Sequence, residues 1–302
     1  MSAKAKWDLR GVIVPLITPF KDDLSVDHAG VATLVDYFVE EKGCDGLLPC
    51  GTTGESPTLS HEEHLDVIKL VVKQARGRVP VIASTGSNST KEAVELTQLA
   101  EEAGADATLQ VGPYYNKPTQ EGLFEHFAEI AGATGLPLII YNIPGRTGRN
   151  IEPRTIIRLW SDIPTVVGLK DCSNDLHQTM AIYQGTEPET FKIYCGEDLM
   201  TYALLCHGSA GAIAAVAHVI GPEVKAMCEA VWSEHIVEAR SIHYRTMDLV
   251  RALFVEPNPT PVKQALEWLG LPAGSPRPPL QRLSADGQEV LRKAMRAGGW
   301  LS

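Results

Sequence analysis

Short apolar runs alternate with longer amphipathic segments along about the first two-thirds of the chain. Residues 11–18 (GVIVPLIT) read as a strand, and the pattern predicts a helix from about 27 to 42. A second strand at 45–50 (DGLLPC) precedes a helix over 61–76, where Ser60 and Glu63 have the spacing of a capping box. Strand and helix then recur as 79–84 (VPVIAS) with 90–103, 105–111 (ADATLQV) with 120–133, and 137–142 (PLIIYN) with 153–160. Residues 165–170 with a helix near 176–184 come next. The runs 191–195 (FKIYC) and 210–214 (AGAIA), around a short helix at 199–206, complete the series. Eight strands alternating with helices in about 215 residues imply parallel pairing and an α/β fold, a (β/α)8 TIM barrel in preference to an open sheet.

From Pro222 onward the strand signal disappears. Helices are predicted near 223–232, 235–253, 261–269 and 284–296, interrupted by the proline-rich stretch 272–279. The first of these completes the barrel. The expected division is therefore a barrel over residues 1–232 and a C-terminal helical region over 233–302 packed on it.

The sixth strand carries the most pointed chemistry. Val166, Gly168 and Lys170 share one of its faces. If that face looks into a core, burial disfavours the charged amine, and a lysine with a lowered pKa is a nucleophile toward ketones. For Lys170 alone, a solvated strand-end lysine is the plainer reading. In a barrel, however, catalytic groups collect at the C-terminal ends of the strands, so the other ends matter. Gly51-Thr52-Thr53-Gly54-Glu55-Ser56 follows the second strand and offers N–H groups and hydroxyls suited to a carboxylate. It lacks the spacing of a nucleotide-binding loop. Pro113-Tyr114-Tyr115-Asn116 closes the fourth strand. At the end of the fifth, Tyr141 brings a phenol able to relay protons, and on the adjoining loop Arg146 brings a planar fork that fits a carboxylate. The seventh reaches Gly196, and the eighth carries Ile213, whose default role is packing. Nucleophile, proton carrier, anion cradle and clamp together favour Schiff-base chemistry on a small α-keto acid.

Composition changes this picture by exclusion. With 302 residues, 44% of them hydrophobic, the chain can bury a large core. A net charge of −10 disfavours non-specific binding to nucleic acid or to a membrane surface, so neither partner is expected. The rim holds no Asp/Glu/His cluster with metal spacing, so a metal-dependent aldolase is disfavoured and neither metal nor cofactor is expected. Six cysteines (Cys44, Cys50, Cys172, Cys195, Cys206 and Cys228) form no C-x-x-C pair and read as reduced thiols acting as small hydrophobes. The start of the chain lacks the apolar run of a signal peptide, and no stretch reaches membrane-spanning length. A cytoplasmic location is expected.

Gly51-Thr52-Thr53-Gly54-Glu55-Ser56, Tyr114-Tyr115-Asn116, Tyr141-Asn142-Ile143-Pro144-x-Arg146-Thr147-Gly148 and Gly168-Leu169-Lys170-Asp171 resemble the motifs of the dihydrodipicolinate synthase/N-acetylneuraminate lyase superfamily. Glu256-Pro257-Asn258-Pro259-Thr260-Pro261-Val262-Lys263 is similar to its synthase branch, and the resemblance spans about residues 11–271. It implies that Lys170 forms an imine and then an enamine with pyruvate. The enamine would add to aspartate semialdehyde, and cyclisation would give the heterocyclic product of the lysine pathway. By the same resemblance Thr52, Tyr141 and Tyr115 match a proton relay, with Tyr115 reaching into a neighbouring subunit's site. Thr52 and Thr53 match the cradle for the pyruvate carboxylate, Arg146 the grip on the second substrate, and Gly196 and Ile213 positions around the imine. A tight dimer follows, commonly paired into a homotetramer.

The resemblance also implies an effector site. Ser56, His61, His64, Asn88, Glu92 and Tyr114 match the residues that hold allosteric L-lysine at the dimer interface of inhibited members, with Glu92 facing the effector's ammonium group. Polar helix surface is the plainer reading of His61 or His64 alone. Asp171-Cys172-Ser173 departs from the commoner Glu-Ala-Thr, which touches the identity of the second substrate but not the nucleophile. Two other readings stand beside the synthase: another pyruvate-dependent aldolase or lyase acting on a sugar acid or other aldehyde, and a non-catalytic barrel that binds small molecules.

Overall fold

The computed structural model describes residues 7–302. The strands are β1 (Gly11–Val14), β2 (Gly46–Leu47), β3 (Ile82–Ser84), β4 (Ala107–Val111), β5 (Leu138–Asn142), β6 (Val166–Asp171), β7 (Lys192–Cys195) and β8 (Gly211–Ile213). Between them stand α1 (His28–Asp36), α2 (His61–Ala75), α3 (Thr90–Glu102), α4 (Gln120–Gly132), α5 (Pro144–Thr147), α6 (Pro153–Asp162), α7 (Leu176–Gly185) and α8 (Thr201–Cys206). Helix α9 (Ala217–Trp232) follows the last strand. This is the (β/α)8 barrel class, extended by α10 (Ile236–Ala252), α11 (Thr260–Trp268) and α12 (Ala285–Ala297).

The chain divides into two compact units. The first holds residues 7–10 and Pro80–Ile213, and in it β3 to β8 pair in chain order, all parallel. Leu138, Ile140 and Leu169 pack with Phe127 and Ile130 of α4 and Ile156 and Leu159 of α6, all without exposure. Because side chains alternate along a strand, Ile139 and Tyr141 take the opposite face of β5 from Leu138 and Ile140. Register pairs Tyr141 with Lys170, and Lys170 with Tyr194. Residues at paired positions share a face, so the helix-covered side of the sheet leaves Tyr141 and Lys170 together on the other side.

The second unit holds Gly11–Val79 and Ala214–Ser302. Here β1 pairs with β2 through Ile13 with Gly46 and Val14 with Leu47. The carboxylate of Asp45 accepts from Val12 N at 2.8 Å and from Lys225 Nζ at 2.7 Å, tying α9 to that strand pair. The Ser60–Glu63 capping box forms as its spacing predicts, with Ser60 N donating to Glu63 Oε2 and Glu63 N to Ser60 Oγ. Such a cap stabilises a helix start by about 1 kcal/mol.

Four departures from the sequence pattern have local causes. Strand β2 covers two residues rather than six, and by Cys50 the backbone has turned to φ +57°. Helix α1 stops at Asp36 and runs into a π-helical turn, Tyr37–Glu41. Helix α9 begins six residues before the predicted start and carries a kink at Ile220, where Pro222 takes away an amide donor. The short helix α5 has no counterpart in the pattern, because four residues are too few to show a period. Five cysteines are buried and Cys206 is exposed, and all six are free.

Candidate active site

Lys170 is one residue from the C-terminal end of β6 and is 7% exposed. Its Nζ stands 4.4 Å from the centroid of the Tyr141 ring. Burial lowers the lysine pKa, opposed by Cys172, Asp198 and Cys195, while the charge of Arg146 acts in the same direction as burial. Beyond β7, Gly196 closes over the lysine stem. A Cβ there would stand 2.8 Å from both Cγ and Cε of Lys170 and 2.5 Å from Cys172 Sγ, so only glycine fits. The end of β6 is fastened by Asp171, which accepts from Ser173 N at 2.9 Å and Thr179 Oγ1 at 2.6 Å. Ile213, the last residue of β8, is buried.

Arg146 is carried by α5, which Pro144 starts and Gly148 ends at φ +70°. Thr147 Oγ1 donates within this turn, with Ile143 O at 3.1 Å and Arg149 O at 2.8 Å as acceptors. Arg146 itself is exposed, so its fork is presented while its support is locked. The loop after β4 is built the opposite way. Tyr115 is 89% exposed and sits at φ +71°, a conformation that bulky side chains avoid. Its neighbours hold it there, as Asn116 Nδ2 donates to Asn88 O at 2.8 Å and Asn88 Nδ2 to Tyr114 O at 3.2 Å.

In the second unit, Thr52 and Thr53 lie in the turn after β2. Thr53 is buried, and its hydroxyl accepts from Asn258 Nδ2 at 2.9 Å. Glu55, at φ +57°, buries its carboxylate 2.5 Å from Lys263 Nζ, a residue itself 1% exposed. Burial pulls the Lys263 pKa down to about 8, and the Glu55 charge opposes that shift. Arg277 N donates to Glu55 Oε2 at 2.8 Å, and its guanidinium bonds Thr58 O, Leu24 O and both oxygens of Glu63. That guanidinium holds the Glu63 carboxyl down to about 2.

The residues matched to the effector fall into small groups. Ser56 Oγ is 3.4 Å from Nδ1 of the buried His64, while His61 is the exposed first residue of α2. Asn88 bonds Tyr114, as above, and Glu92 accepts from Ser87 Oγ in the first turn of α3. Among the described residues no group of three or more His, Cys, Asp or Glu side chains is placed to hold a metal ion. No helix among them is long and apolar enough to cross a membrane.

Pattern reading did not single out Asn258, Glu55, Lys263 or Arg277 for a role of their own. Glu55 and Lys263 are fully buried charges about two hundred positions apart, and nothing periodic marks such a pair. The signal available was that both lie inside motifs already noted.

The model of the dihydrodipicolinate synthetase family matches residues 8–298. The 4-hydroxy-tetrahydrodipicolinate synthase of Methanopyrus kandleri is 46% identical over 296 residues, covering 98% of each chain. The crystal structure of the Cyanidioschyzon merolae enzyme with lysine bound superposes with a TM-score of 0.95 at 43% identity, over 97% of this chain and 99% of that one. A structure described as the first monomeric dihydrodipicolinate synthase variant gives a TM-score of 0.94 at 37% identity, over 97% and 98%. A match that runs almost end to end makes this chain a member of the dihydrodipicolinate synthetase family.

Proposed function

We propose that the protein is a 4-hydroxy-tetrahydrodipicolinate synthase, condensing pyruvate with L-aspartate 4-semialdehyde through a Schiff base on Lys170. The observation that carries this reading is the buried Lys170 amine, its pKa lowered by desolvation, 4.4 Å from the Tyr141 ring. A neutral amine attacks the ketone carbon, and the carbinolamine loses its oxygen as water to leave a protonated imine. Loss of a methyl proton gives the enamine, whose carbon adds to the aldehyde of the second substrate. The substrate's own amine then attacks the imine carbon, closing the ring and releasing Lys170. One water leaves in the net reaction.

Tyr141, whose ring centroid is 4.4 Å from the nucleophile, is the proton carrier, and Thr52 and Tyr115 extend the relay. Thr52 and Thr53 hold the pyruvate carboxylate, and Arg146 grips that of the semialdehyde through its exposed fork. Gly196 leaves room for the imine, and Ile213 packs beside it. Tyr115 serves a second copy of the chain. Its exposure and its backbone, held by neighbours in an unfavourable region, suit a side chain meant for a partner. The assembly is a cytoplasmic homotetramer, a dimer of such dimers. L-lysine inhibits it through Ser56, His61, His64, Asn88, Glu92 and Tyr114, consistent with the lysine-bound relative.

A coupled assay offering pyruvate with aspartate semialdehyde, beside pyruvate with neutral sugar aldehydes, tests the acceptor. Turnover confined to the semialdehyde supports the synthase. Turnover confined to sugar aldehydes replaces it with another aldolase.

A further inference from the structure

We infer that Asn258 is a positioning residue for the carboxylate cradle, donating its amide hydrogen to Thr53 so that the threonine hydroxyl keeps its own hydrogen for the substrate. This rests on the reading above, in which Thr53 holds the pyruvate carboxylate. A hydroxyl has one hydrogen to give and two lone pairs to accept with. A carboxylate only accepts. Thr53 is therefore useful to pyruvate only if nothing in the protein takes its hydrogen. Asn258 Nδ2 donates to Thr53 Oγ1 at 2.9 Å, and among the described residues none accepts a hydrogen bond from the Thr53 hydroxyl.

The C-terminal helical region supplies this contact from a fixed base. Asn258 is buried and sits between Pro257 and Pro259, just before α11. Thr260 N donates to Pro257 O at 3.0 Å and Lys263 N to Pro259 O at 2.9 Å, so the amide and Lys263 ride on one rigid start of helix. Lys263 meets Glu55 at 2.5 Å, two residues from Thr53, and Arg277 fastens the far side of the turn through Glu55 Oε2 and Thr58 O. Asn258 and Lys263 thus hold the turn at two points from one short segment, and Arg277 adds further contacts from outside it. A buried ion pair contributes little net stability against an apolar replacement of similar volume, whereas removing one partner alone strands the other charge.

The test is steady-state kinetics of the full-length enzyme, each substrate varied in turn, on Asn258→Asp, Asn258→Ala and the paired Glu55→Gln/Lys263→Met. Aspartate can only accept, so it claims the Thr53 hydrogen and sets a negative charge beside the cradle. Its KM for pyruvate is expected to rise about tenfold or more, with KM for the semialdehyde nearly unchanged. Asn258→Ala is expected to raise the same KM by a smaller factor, and the paired variant, which removes the buried charges together, to do likewise. An aspartate variant that equals or outperforms the alanine variant overturns the inference, as does an equal rise in both KM values. Should the aspartate variant fail to fold, the alanine and paired variants decide by the same comparison of the two KM values. A wild type that turns over no pyruvate overturns the functional reading and this inference with it, whereas a pyruvate-active wild type with insensitive variants overturns the inference alone.

Discussion

Gly196 lies against the stem of Lys170 so closely that a Cβ on it would stand 2.8 Å from the lysine Cε. That distance is shorter than carbon atoms tolerate, and Cys172 Sγ, at 2.5 Å, would be closer still. Gly196→Ala must therefore displace the lysine stem, the thiol or the backbone. A displacement near 1 Å at a reacting group costs about a hundredfold in rate, whereas overpacking costs about 1–3 kcal/mol of stability. The expected outcome is a folded variant whose rate of imine formation falls about ten- to a hundredfold, measured by stopped-flow with pyruvate alone. A rate within twofold of wild type would show that Gly196 does not shape the lysine.

Stability is expected to fall as the solution is acidified, in two stages. Burial holds both His126 and His218 down to about 4, so each imidazole is neutral in the folded chain and titrates near 6.5 when unfolded. Between those values the unfolded chain binds more protons, so stability drops as pH falls, by about 1.4 kcal/mol per pH unit for each group. His218 makes the cause concrete. Its Nε2 accepts from Ile17 N at 3.2 Å and its Nδ1 faces Ala215 O at 2.8 Å, so protonation removes the acceptor. Glu63 adds a lower stage. Its folded pKa is about 2, so its contribution is lost as pH falls from about 4.5 toward that value. Urea unfolding at pH 7, 5.5 and 4.5 reads the slope, and a flat profile across that range would contradict the assignment.

The alternation of apolar runs and amphipathic segments was enough to read the barrel class, because each strand and its helix are local and the period is short. Lys170 and Tyr141 were legible for the same reason, since both fall at strand ends and register alone brings them together. The residues behind the site were not. Gly196 is informative only once the lysine stem is seen against it, and Asn258 meets Thr53 from 205 positions away. Helix α5 escaped because its four residues carry no periodicity, although it is what presents Arg146. Local chemistry shows in sequence, and long-range support shows only in the fold.

L-lysine in the millimolar range is expected to lower activity at sub-saturating pyruvate. Glu92, already oriented by Ser87 in the first turn of α3, offers the charge that an ammonium group seeks. Glu92→Gln removes that charge and is expected to raise the inhibitory lysine concentration about tenfold or more. Dose–response curves for the two proteins check this, and equal sensitivity would remove Glu92 from the effector site.

Borohydride reduction in the presence of pyruvate tests the central claim most directly, because it captures the covalent step before any acceptor is involved. The reduced adduct is predicted on the peptide that contains Lys170, with activity lost in proportion and with no labelling when pyruvate is withheld. An adduct on another lysine, or none at all with the enzyme still active, would contradict the assignment of Lys170 as the Schiff-base nucleophile.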